Sequence, residues 1–134
     1  MIRCLSIAAA LALLSGCGSD VERLIEERTT DAGDVTARLK EVLWGGAAGG
    51  ITFCVDLIAG GKKKDCVVSA MHLQGGGIKW ESRNLIFSYC DGTIFHTDGG
   101  VRNEGLSPFT ISLKQDCSPD LLWENRHYAD RSAQ

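Results

Sequence analysis

The sequence predicts an α+β or mainly β fold, with an N-terminal helical segment followed by a small antiparallel β-sheet braced by two disulfides. Three observations carry this expectation. Val21, Leu24, Ile25 and Arg28 recur at helical spacing, as do Val35, Leu39, Val42 and Leu43 after a break near 29–33. From Ile51 onward the apolar period changes to two. Cys54, Cys66, Cys90 and Cys117 form an even set within a chain whose first residues look like an export signal. A length of 134 residues suits one domain, and 44% hydrophobic residues suffice for a core. The 16 glycines against 2 prolines cluster between the patterned segments, so they act as punctuation.

Taken in order, 20–44 is expected to form one broken helix or two short ones, with Asp31 or Asp34 capping the second. The glycine-rich 45–50 links it to the sheet. Strands are expected over 51–58, 66–73, 84–90, 93–97 and 108–114, with a further short one near Ile78–Trp80. Asp91-Gly92 between Tyr89-Cys90 and Thr93-Ile94 predicts a two-residue hairpin that sets Tyr89 opposite Ile94 and Phe87 opposite His96. Three disulfide pairings are open in principle. A three-residue loop Ala59-Gly60-Gly61 would put Cys54 directly opposite Cys66, which favours that bridge and leaves Cys90 with Cys117.

The amino terminus has its own logic. Met1-Ile2-Arg3 is followed by an apolar run from Cys4 to Leu14 and then Ser15-Gly16-Cys17. One positive charge, a short hydrophobic stretch and a small-residue exit make the plan of a secretory signal. The run is about half the ~20 residues that a spanning helix needs. Leu14-Ser15-Gly16-Cys17 resembles the lipobox of bacterial lipoproteins. That resemblance implies a signal peptide over 1–16, cleavage before Cys17 and lipid on its thiol, with palmitate among the acyl chains. Gly18 directly after the cysteine implies the outer membrane, facing the periplasm, over the inner one. The expected organisation is therefore a signal peptide (1–16), a lipidated stalk and linker (17–50) and a disulfide-braced β domain (51–134).

The net charge of −3 disfavours nucleic acid, whose phosphates call for a basic face. No CxxC or HxxxH spacing points to a metal, and no cofactor motif is present. Gly60-Gly61-Lys62 fails the Walker pattern, because Asp56 stands where its first glycine belongs and Lys63 replaces Ser or Thr. Lys62–Lys64 reads as a solvated basic turn. His72, His96 and His127 lie in different segments and read as structural. The overlapping GxxxG pairs Gly45/Gly49 and Gly46/Gly50 read as a linker, since the uncharged run Val42–Val55 is short for a membrane span.

The expectation for function is a lipid-anchored envelope lipoprotein, not an enzyme, that binds a protein partner in an exclusion or inhibitor role. The two other classes are a structural, oligomerising component of an envelope or secretion assembly, and a small periplasmic hydrolase built on His96, Asp98, Arg102 and Glu104. Trp80, Arg83, Arg102 and Asn103 fall in the segments 75–83 and 98–107, and Trp and Arg are enriched at binding hot spots. They form the expected binding surface, with Trp80 closing the core as the alternative.

Overall fold

A computed structural model of the chain describes residues 21–45, 49–97 and 108–126. Among these residues there is no α-helix, and eight strands form two sheets. The larger sheet has the order β1 (Val21–Thr29), β2 (Val35–Trp44), β3 (Gly50–Ala59), β4 (Lys62–Met71) and β7 (Thr93–Thr97). The smaller has the order β5 (Gly75–Glu81), β6 (Asn84–Cys90) and β8 (Thr110–Gln115). A 3₁₀ turn, Trp123–Asn125, ends the described chain.

The helical expectation for 20–44 is overturned, and the cause is visible in the pleat. β1 and β2 pair antiparallel from Val21↔Leu43 to Thr29↔Thr36, with a bulge between Leu24 and Glu26. Val21 and Leu24 lie on opposite faces of β1, paired with Leu43 and Lys40, and Ile25 packs on the core. Apolar side chains from both faces therefore fall three and four apart, a spacing that imitates a helix. In β2 the core positions are Val35, Ala37 and Leu39, each with no exposure. Small Ala37 and the buried charge of Glu41 hide that alternation from a hydropathy reading. Thr30 closes the turn between the strands. Its hydroxyl donates to Asp34 Oδ1 (2.7 Å), and its amide donates to the Val35 carbonyl (3.0 Å). β2 and β3 continue in unbroken register from Val35↔Ala59 to Trp44↔Gly50, so the expected stalk belongs to the same sheet as the domain behind it.

β3 and β4 are joined by the two-residue turn Gly60-Gly61, not by three residues, and both glycines have positive φ (57° and 75°). That is the demand of a type I′ hairpin, which glycine meets without a Cβ clash. That turn alone would set Cys54 opposite Val67, yet its partner is Ser69. A bulge in β4, spanning the step from Val55↔Val68 to Leu57↔Lys64, pushes Cys66 across instead. The Cys54–Cys66 bridge forms with its Cα atoms 4.8 Å apart, and Cys90–Cys117 with its Cα atoms 4.6 Å apart.

The Asp91-Gly92 hairpin is also corrected. Both residues have positive φ, as such a turn requires, yet the chain leaves one sheet and enters the other there. A strand has two edges. β5 takes one edge of β6 through a tight hairpin, and β8 takes the other in parallel, from Asn84↔Thr110 to Tyr89↔Gln115. β7 must pair elsewhere. Ile94 lies beside Ala70 and His96 beside Ser69, while Phe87 and Tyr89 face Ile78 and Gly76. The sheets close over one core that includes Leu39, Val55, Leu57 and Val68 from the larger and Ile78, Leu85 and Phe87 from the smaller. Phe109, just before β8, completes it.

Candidate functional site

Two concavities flank the larger sheet. On its outer face, β1, β2, β3 and β4 bring Glu22, Arg38, Lys40, Asp56 and Lys63 around a polar cavity of about 240 Å³. Asp56 is 2% exposed and Lys40 6%, although both lie on the face turned away from the core. The Lys40 ammonium donates to Asp56 Oδ2 at 2.8 Å and Glu22 Oε1 at 2.9 Å. Asp56 Oδ1 accepts the Cys66 amide at 2.8 Å, so one carboxylate holds both the lysine and the bulge that carries the disulfide. Lys63 approaches Asp65 at 3.2 Å and Asp56 at 3.6 Å, and Arg38 Nε lies 3.0 Å from Glu27. Burial works against the charge on Lys40, but the bonds from Asp56 and Glu22 outweigh it and hold its pKa above the ordinary lysine value. Each cation of this cluster already faces a carboxylate.

The second concavity opens between the sheets, where β3 starts and β4 ends. It is about 580 Å³, with Ile51, Phe53, Met71, Leu73 and Trp123 as its apolar lining and Glu41 and His72 as polar lining. The indole of Trp123 stacks on Phe53 with ring centroids 5.3 Å apart and donates to the Leu73 carbonyl at 2.8 Å. Arg126 lies over the same indole, bonds the Gly76 carbonyl and pairs with Glu26 at 2.8 Å. The other oxygen of Glu26 accepts the Ile78 amide at 2.8 Å, which caps the free edge of β5. Gly75 allows this arrangement. A Cβ there would collide with the Leu121 carbonyl, so only a bare backbone lets 121–126 lie against β5. The cleft can take an apolar group.

The residues singled out from sequence separate in space. Trp80 is half-buried, donates from Nε1 to the Arg28 carbonyl (3.0 Å) and meets Phe109 edge-on at 6.2 Å. Arg83 ties two turns together. Its Nη1 reaches both oxygens of Asp34 at 2.8 Å and its Nε the Pro108 carbonyl at 3.1 Å. Those bonds, with the Thr30 hydroxyl, hold the Asp34 carboxyl below the usual carboxylate range. Arg102, Asn103, Asp98, Glu104, His127 and the lipobox Cys17 lie outside the described residues. His72 lines the cleft and His96 sits on β7, so they share no site. Lys62–Lys64 lie exposed beside the Gly60-Gly61 turn. Val42 and Val55 lie on paired strands, and among the described residues no helix is long and apolar enough to cross a membrane. Cys90, Asp91 and Cys117 are close enough to suggest a metal, but both thiols are consumed by their bridge.

Sequence reasoning passed over Lys40, Asp56, Glu26 and Arg126. The available signal was an aspartate set inside the apolar strand Phe53-Cys54-Val55-Asp56-Leu57-Ile58, since a charge there requires a buried partner. No protein-family model, curated protein or solved structure matches this chain.

Proposed function

We propose that the chain is a lipid-anchored protein of the bacterial envelope, held by lipid on Cys17, that acts by binding a protein partner. The lipobox Leu14-Ser15-Gly16-Cys17 carries the reading. Both disulfides support it, because such bridges persist in an oxidising compartment such as the periplasm. Gly18 after the cysteine favours the outer membrane. The binding role rests on the sheet edges. Among the described residues, β7 ends the larger sheet and exposes 55% of Phe95, while β8 ends the smaller and exposes 41% of Leu113. An unpaired edge carrying a large apolar side chain is a template for another protein's strand.

Two outcomes are expected. Wild-type chain labels with fatty acid in cells, and Cys17→Ser accumulates as unlabelled precursor. A membrane-bound, normally processed Cys17→Ser product overturns the anchor. A partner co-purified from detergent-solubilised envelope is lost with Phe95→Asp, while that variant keeps its circular dichroism and thermal midpoint. Undiminished capture by the variant removes β7 from the interface.

A further inference from the structure

We infer that the end of the larger sheet bearing Val21, Trp44 and Ile51 rests on the lipid bilayer itself, an inference that builds on the proposed anchor at Cys17. These are three of the six large apolar side chains that stand exposed among the described residues, at 52%, 41% and 42%. They sit together. Val21 pairs with Leu43, Leu43 pairs with Ile51, and Trp44 pairs with Gly50. The first strand, the second and the third thus all present apolar residues at the same end.

The tether selects the occupant. Only Gly18, Ser19 and Asp20 separate Cys17 from Val21, and four extended residues reach at most about 14 Å. Lipid on Cys17 fixes that residue at the headgroup level, so the end of the sheet that begins with Val21 cannot stand far from the surface. Electrostatics agrees. Among the described residues of the first strand, the charges closest to this end are engaged within the protein, Glu22 by Lys40 at 2.9 Å and Arg23 opposite Glu41 at 4.0 Å. The exposed cations Lys62–Lys64 lie on β4 opposite Leu57–Ala59, roughly 20–26 Å from Ile51 at the usual rise per residue. Contact is therefore apolar, with Trp44 in the interfacial role that amphipathic indoles favour. Its Nε1 already donates to Thr52 Oγ1 at 2.9 Å, so its ring meets the surface without an orphaned donor.

Full-length acylated chain reconstituted into phosphatidylcholine vesicles, with or without bromine on the acyl chains, tests this contact. Emission of wild type minus that of Trp44→Phe isolates the Trp44 signal. Brominated lipid should remove at least half of that signal, and the double variant Val21→Ser/Ile51→Ser should restore most of it. Equal Trp44 emission in both vesicle types overturns the contact. Fatty-acid label on Cys17 is scored on the same preparation, so an unlabelled chain counts against the anchor and an unquenched Trp44 against the contact.

Discussion

Lys40 and Asp56 are the pair on which the outer face of the larger sheet depends. Two charges removed from water gain little over an apolar pair, but removing one partner leaves the other buried and uncompensated. Lys40→Ala should therefore cost about 3 kcal/mol, measured by urea denaturation. Lys63→Ala, which removes a 44% exposed side chain from the same carboxylate, should cost less than about 1 kcal/mol. A loss below about 1 kcal/mol in Lys40→Ala as well would mean that Lys63 takes over the salt bridge. The pH dependence has a definite sign. Because the folded state raises the pKa of Lys40, its contribution is fully present below the unfolded value near 10.4 and is lost as pH rises through the higher folded value. Replacing Lys40 by Met should flatten the alkaline limb of the stability curve above pH ~10. The signal for Asp56 stood in the sequence, whereas its partner did not. Lys40 follows Leu39 as one cation among several, and only the register of β2 on β3 brings the two together. Trp80 and Arg83 show the opposite case. Their residue types suit a recognition surface, but Trp80 packs on Phe109 and Arg83 on Asp34.

At the level of elements, local chemistry was legible and partnership was not. The bounds of β6 and β7 follow from β-branched and aromatic residues on either side of Asp91-Gly92, and they coincide with 84–90 and 93–97. The left-handed backbone at 91 and 92 also follows from that dipeptide. Which strands then pair is a competition among all available edges, and no window of sequence contains the rivals. β8 wins the edge of β6 from 26 positions away, measured from Asn84 to Thr110. β1 fails to read as a strand for a local reason, since apolar residues on both of its faces fall three and four apart. The two bridges illustrate both halves. Counting leaves three pairings, and a three-residue loop favours Cys54 with Cys66. That bridge forms, but through a two-residue turn and a bulge that glycine spacing does not announce.

Across the whole molecule, one direction organises the rest. The ends of β1, β2 and β3 nearest Cys17 are apolar, and the opposite turns carry Asp31, Asp34 and Lys62–Lys64. The two sheets also differ in how far apart their partners lie along the chain. β1 to β4 form a meander in which every strand pairs with its immediate successor, whereas β6 meets β8 in parallel across a long crossover. That parallel pair has a temporal consequence. Contacts between distant residues must first pay the entropy of closing the intervening loop, so they form late, while neighbouring hairpins zip early. The meander and Cys54–Cys66, 12 positions apart, should assemble first, and Cys90–Cys117, 27 positions apart, should seal the smaller sheet last. Oxidative refolding quenched with a thiol-alkylating reagent should trap species holding only the first bridge, and early accumulation of the second alone would reverse the order. A chain newly delivered to an oxidising compartment would then pass through an interval in which β6 has a vacant edge, when strand exchange with a second unfinished copy competes with its own β8.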